Sequence, residues 1–299
     1  MIAVNVYSAK CVSQFRKSPP HSIPNSRPNR LLYTNTSLKR FPPFSTTVFA
    51  GDRMASSGSS ASVLGTFDCT ENGGTIECVS PKYAEIIVIR HGETEWNTDR
   101  RIQGHLDVDL NDVGRQQAFA VADRISKEPK ISAVYSSDLK RAFCTAEIIA
   151  KGCGVTEVAK EADLRERHLG DLQGVVFHEA QRVKPEAHKA FVSSHEDQEI
   201  PGGGESFNQL YKRSTLALQR IAKKHQGERV VVVSHGGTIR ALHKRASPHQ
   251  RCGKVLNTSV NIFHLSEDGK WCIKSWGDVS HLNQTSFLDS GFGGDRNSG

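Results

Sequence analysis

Four consecutive β-branched residues, Ile86-Ile87-Val88-Ile89, are apolar at every position rather than at alternate ones, which is the pattern of a strand buried on both faces. Val230-Val231-Val232-Val233 repeats it far along the chain. Between the two, apolar residues fall at helical spacing. Val113, Ala118, Val121, Ala122 and Ile125 mark one face of a helix opening near Asn111 and stopping at Pro129. Leu139, Ala142, Phe143, Ala146 and Ile149 mark a second helix, with Ser136-Ser137-Asp138 offering its N-cap and Gly152 its stop. Shorter strands are predicted at 131–135, 155–159, 260–265 and 271–276, the last two joined by a turn at Glu267-Asp268-Gly269. A polar helix is expected around His178 to Val192. Ser206-x-x-Gln209 forms a capping box for a helix ending near Gly227, and another helix begins at about Gly237. Strands alternating with helices predict a three-layer α/β/α sandwich with a mainly parallel sheet, built as one domain over 82–289.

Outside that domain the composition changes. Residues 1–50 contain no Asp or Glu and are rich in Ser, Thr, Pro and basic side chains, so 1–53 reads as an organellar transit peptide. The Ser/Thr and Pro excess favours the chloroplast over the mitochondrion, while a start at Met54 would give a cytoplasmic form. Residues 54–81 read as a flexible linker and 290–299 as a disordered tail.

Charge alters the picture only at this leader. The chain of 299 residues has a formal charge of +7, and eight basic side chains against the single acid Asp52 place all of it in residues 1–53. Residues 54–299 taken together are neutral, which argues against a nucleic-acid partner. No run of about 18 apolar residues is present, so no membrane span is expected. The seven cysteines are scattered without a C-x-x-C pair, the distribution of reduced thiols rather than of a zinc site or disulfide framework.

Each of the two long apolar strands ends in His-Gly: Arg90-His91-Gly92 and Ser234-His235-Gly236. Ligands of open α/β sheets bind at the carboxyl ends of strands. Neighbouring strands would therefore place two imidazoles in one crevice, with Arg90 beside them. A planar guanidinium fork matches phosphate oxygens, and Arg141 offers a second one in the first turn of its helix. Neutral imidazole can accept a phosphoryl group without first losing a proton. No H-E-x-x-H motif or carboxylate–histidine spacing supports a metal site, so no metal is expected. Gly202-Gly203-Gly204 lacks the lysine and spacing of a P-loop, which leaves no nucleotide cofactor implied.

Arg90-His91-Gly92-Glu93-Thr94 resembles the R-H-G signature of the histidine phosphatase superfamily, the phosphoglycerate mutase-like fold. Further blocks follow in that family's order: Arg101-Ile102-Gln103-Gly104, Leu110-Asn111-Asp112-Val113-Gly114, Ser136 to Ala142, Leu164 to Gly170, and Ser234 to Gly237. Within the family the chain is most similar to the plant phosphoglycerate mutase-like proteins. The resemblance implies that His91 is the nucleophile, that Arg90 and Arg141 hold the phosphoryl group, and that His235 stabilises its charge as a second, protonated imidazole. Glu166 is implied as the general acid, with Glu161 and Glu179 lying outside the matching block. Asn97, Gln103, Gly104 and Gly236 are implied as substrate contacts, and His105, His188, His225, His243 and His249 as structural residues.

Three functions are compatible with this pattern. The first is a phosphomonoester hydrolase acting on a small phosphorylated metabolite of the sugar phosphate or phosphoglycerate class. The second is a phosphoglycerate mutase-type isomerase, which alone would call for bisphosphoglycerate as cofactor. The third is a catalytically silent phosphate-ligand sensor. About 27 residues separate Gly174 from Gly202, whereas the mutases the chain resembles carry a longer insertion there, which favours hydrolysis. Against that, Glu166 to Gly174 departs toward the mutase pattern. The retained His91 and Glu166 place the sensor last. Oligomeric state is not legible in this pattern.

Overall fold

The computed structural model describes residues 83–282. The expected transit peptide, linker and 290–299 tail lie outside the described residues. Six strands form one sheet: β1 (Tyr83–Arg90), β2 (Ala133–Ser136), β3 (Val158–Lys160), β4 (Arg229–Ser234), β5 (Val260–Ser266) and β6 (Trp271–Asp278). Their order is β3-β2-β4-β1-β5-β6. The β1–β4, β2–β4 and β2–β3 pairs are parallel, and the hairpin β5–β6 adds an antiparallel edge beside β1. The helices are α1 (Glu95–Thr98), α2 (Asp112–Ser126), α3 (Lys140–Gly152), α4 (Ala180–Val183), α5 (Pro185–Val192), α6 (Phe207–Lys224) and α7 (Gly236–Ala246).

The central strands are continuously apolar because successive side chains enter different layers. Ile87, Ile89, Val231 and Val233 pack with Val121, Ile125 and Ile149 of α2 and α3. Ile86, Val88, Val230 and Val232 pack with Leu218 and Ile221 of α6 and Ile239 and Leu242 of α7. Fully burying each such side chain contributes about 1.5–3 kcal/mol, so this pair of strands anchors both layers. A smaller cluster (Ile102, Leu169, Leu172, Ala180, Ala187, Ile200) supports the segment that carries α4 and α5.

Local departures from the sequence reading have local causes. The helix expected around His178 to Val192 is interrupted, because Pro185 cannot continue the ladder and holds Lys184 at φ −139° and ψ 62°. The strand expected at 155–159 is only Val158–Lys160, since the Val155 N–H still closes a turn onto Ala150 O (2.9 Å). Gly152 is the last helical residue of α3, and it is Gly154 that takes the left-handed conformation, at φ +71°. The cap of α3 also differs. Leu139 occupies the cap position with no side-chain bond, the Lys140 N–H goes to Asp107 Oδ1 (2.7 Å), and Asp138 is held in the fork of Arg165. The capping box at Ser206 and Gln209 forms as expected, and α6 ends at Lys224, before Gly227 at φ +76°.

Candidate active site

β1 and β4 are parallel neighbours in a register that sets Arg90 opposite Ser234, so the next residue of each is a histidine. The His91 and His235 rings lie with centroids 5.2 Å apart, their planes inclined by 54°. Both side chains are buried, at 2% and 0% exposure. His91 Nδ1 is 2.6 Å from Gly92 O. A carbonyl only accepts, so Nδ1 carries the proton and the lone pair of the neutral ring is on Nε2. The loop bearing His91 is pinned on several sides. The Asn257 amide donates to His91 O (3.0 Å), and the Thr258 N–H donates to Arg90 O (3.1 Å). Thr258 is a buried β-branched residue at φ +54°, backbone strain of the kind found beside functional sites. Gly92 packs so closely on Gly114, at the start of α2, that a Cβ on either would overlap the opposing backbone.

Backbone carbonyls aim the two guanidiniums. Arg141 donates from Nη2 to Gly104 O (2.7 Å) and from Nη1 to Leu106 O (2.9 Å), and Arg90 donates from Nη1 to Val255 O (2.9 Å). The hydroxyl of Thr145, one turn along α3, donates to Arg141 O (2.8 Å) and accepts from the Gly92 N–H (3.1 Å). One buried side chain thus ties the first turn of α3 to the loop that carries His91.

Glu166 is 1% exposed. Its carboxylate accepts from the Arg167 N–H (2.8 Å) and from the Gly237 N–H at the start of α7 (3.0 Å). Its carbonyl accepts from His105 Nε2 (2.6 Å) and Arg213 Nη2 (2.7 Å). Arg213 also donates to the carbonyls of Asp163 and Arg165 and to the Glu205 carboxylate, clamping the chain that presents Glu166. Gly237 has to be glycine, because a Cβ there would overlap the Glu166 carboxylate.

Electrostatics fix the resting state. Burial, then the charges of Arg141 and Arg90, hold His91 well below the usual imidazole value. Burial, then Arg141, His91 and Arg90, does the same to His235. Burial lowers Arg141 only to about 10, so its guanidinium is a cation at pH 7 while both imidazoles are held toward the neutral form. In the resting pocket its burial and its cationic neighbours oppose a positive charge on His235, whereas the expected protonated ring concerns the state in which the phosphoryl group is being transferred.

The same shifts set a pH dependence of stability. Unfolded imidazoles take up a proton near pH 6.5, whereas His91 and His235 resist it and half-buried His281 waits until about 4. The unfolded state therefore binds more protons, and stability is lost as pH falls from about 7 toward about 4. Asp138, held low by its hydrogen bond to Arg165, extends the loss below the usual carboxylate range. The urea midpoint is expected to be lower at about pH 5.5 than at about pH 7.5, and equal midpoints would contradict the buried neutral imidazoles.

The remaining expected contacts divide by role. The Asn97 amide oxygen is committed to Thr94 in the capping box of α1. Gly104, at φ +53°, turns its carbonyl onto Arg141, and Gly236 is the buried first residue of α7. The Gln103 amide is buried, and its Oε1 makes no hydrogen bond within the described protein. His225, between Tyr135 and Glu228, and His243, against Trp276, lie away from the pocket as expected. His105 does not. It braces Glu166 and meets the His168 ring edge-on at 4.8 Å. Ser137, Thr145, Arg213 and Asn257 were not anticipated in the site, and only Ser137 lay in a stretch singled out from sequence.

The comparisons agree with this geometry. The family description of the histidine phosphatase superfamily (branch 1) matches residues 86–279. Phosphoglycerate mutase-like protein 4 of Arabidopsis thaliana is 66% identical over 218 residues, covering 73% of this chain and 95% of that protein. The metal-independent phosphoserine phosphatase of the same plant is 55% identical over 217 residues, covering 73% and 91%. Among solved structures, a variant phosphoserine phosphatase from Entamoeba histolytica in complex with phosphoserine superposes with a TM-score of 0.57. It is 29% identical and covers 67% of this chain and 99% of its own. With two imidazoles, two guanidiniums and a carboxylate gathered at the carboxyl ends of β1 and β4, and a family match spanning nearly the whole described domain, the chain belongs to the histidine phosphatase superfamily.

Proposed function

We propose that this histidine phosphatase hydrolyses small phosphomonoesters that carry a carboxylate, phosphoserine foremost, through a phosphohistidine on His91. The carrying observation is the 2.6 Å bond from His91 Nδ1 to Gly92 O, which leaves Nε2 with an available lone pair in a pocket held positive by Arg90 and Arg141. The guanidiniums bind the dianion. Nε2 attacks phosphorus as the bond to the leaving oxygen breaks, and Glu166, as general acid, gives that oxygen a proton. In the second half-reaction the Glu166 carboxylate takes a proton from water, whose oxygen bonds to phosphorus as the N–P bond breaks. The products are inorganic phosphate and the free alcohol. The scheme uses only side chains of this chain, in keeping with the Arabidopsis relative named as metal-independent.

The carboxylate requirement rests on Arg167. This side chain, 9% exposed, is anchored by Nε to Glu205 O (2.9 Å) and lies over the Phe191 ring. Its guanidinium has the charges of Glu205 and Glu166 as neighbours, and the carboxylate of the substrate is assigned to this planar fork, one residue from the acid. Replacing Arg167 by alanine is expected to lower kcat/KM for phosphoserine about 10–100-fold, the worth of one charge-assisted pair, while p-nitrophenyl phosphate changes little. The assay follows inorganic phosphate and phosphoglycerate isomers together, with and without bisphosphoglycerate. Equal losses on both esters would remove the carboxylate requirement. Isomer formed without phosphate release would replace hydrolysis by the mutase reading.

A further inference from the structure

We propose that Ser137 fixes the tautomer of His235, so that Nδ1 carries the ring proton and donates it in a hydrogen bond to the transferring phosphoryl group. Ser137 follows the last residue of β2 and is fully buried, with its N–H bonded to Val233 O (3.0 Å). That bond sets its hydroxyl against the end of β4. Two groups lie within hydrogen-bond range of Oγ: the Leu139 N–H (3.3 Å) and His235 Nε2 (2.8 Å). The amide only donates. The hydroxyl proton must therefore go to His235 Nε2 or be left without an acceptor in a place water does not reach.

An imidazole that accepts at Nε2 while neutral carries its proton on Nδ1. Nδ1 is itself buried and makes no hydrogen bond within the described protein, and the same holds for Nε of Arg141. The His235 ring is 5.2 Å from that of His91, and the Arg141 charge acts on both rings. The opposite tautomer would turn a lone pair toward an anion there. Ser137 touches His235 and not the substrate, so it is a positioning residue. Its stretch looks like a helix cap in the sequence, but the α3 cap is made without its neighbour Asp138, and its hydroxyl serves the site instead.

The use of this proton in turnover rests on the phosphatase reading, but the tautomer does not, and the two are measured separately. Two-bond ¹⁵N–¹H correlation spectra of the full chain, with His235 assigned by loss of its signals in His235→Gln, report which nitrogen is protonated at about pH 7.5. The expected result is a proton on Nδ1 in the unsubstituted protein and a mixture or reversal in Ser137→Ala, with restoration in Ser137→Thr. For the alanine variant kcat is expected to fall about tenfold with KM nearly unchanged, less than the ~10²–10³ typical when such a donor is removed outright. A proton on Nε2 in the unsubstituted protein overturns the proposal whether or not the variants fold. So does an alanine variant that keeps both the Nδ1 tautomer and full kcat. A correct tautomer in a protein that releases no phosphate would overturn the phosphatase reading alone.

Discussion

Replacing His91 by alanine is expected to lower phosphate release by about 10⁴-fold or more while leaving the fold and phosphate affinity largely intact. The loss is large because no other group in the pocket can substitute for Nε2. The His235 ring lies 5.2 Å from that of His91, but its Nε2 is engaged by Ser137. A hydroxyl such as that of Thr145 is already committed to Arg141 O and the Gly92 N–H. Binding is expected to survive because Arg90 and Arg141 are oriented by the carbonyls of Val255, Gly104 and Leu106, none of which depends on the imidazole. Steady-state assay of the variant, with inorganic phosphate binding measured by calorimetry, checks both halves. Retained turnover would remove the nucleophile assignment.

Glu166→Gln is expected to cost about 10²–10⁴-fold on phosphoserine, the range for loss of a positioned proton donor, and far less on p-nitrophenyl phosphate. The contrast follows from the leaving groups: an alkoxide needs a proton as it departs and a nitrophenolate does not. Glutamine is also a poor guest here, because the carboxylate faces two backbone donors, the N–H groups of Arg167 and Gly237, and an amide NH₂ cannot accept from either. Gly237→Ala approaches the same group from the other side. Its Cβ would overlap the carboxylate and displace it, so a fall in kcat on phosphoserine larger than that on p-nitrophenyl phosphate is expected. Equal losses on the two esters for Glu166→Gln would remove the acid assignment.

The parts of this site legible in the sequence are those that local pattern determines. Ile86 to Ile89 and Val230 to Val233 were readable as central strands because burial on both faces leaves no polar position, and His91 and His235 followed as their termini. Their pairing in register was not determined by pattern but by the sheet order that makes β1 and β4 neighbours. Residues that act through long-range contacts left no local trace. Asn257 reaches the His91 carbonyl from 166 positions away, and Arg213 holds Glu166 from 47. Ser137 was visible but misread, since a serine before a helix has the same sequence signature whether it caps that helix or serves a neighbouring strand. The electrostatics of the resting His235 ring left no local trace either, because two cations and full burial come together around it only in three dimensions.

Catalysis by this route requires a covalent bond between phosphorus and His91 Nε2. Rapid acid-free quenching of the full chain with ³²P-labelled phosphoserine, followed by peptide mapping, tests it directly. The predicted result is a label that is lost in acid and stable in base, located on the peptide containing His91, and absent from His91→Ala. Turnover with no such label, or a label on any other residue, would contradict it.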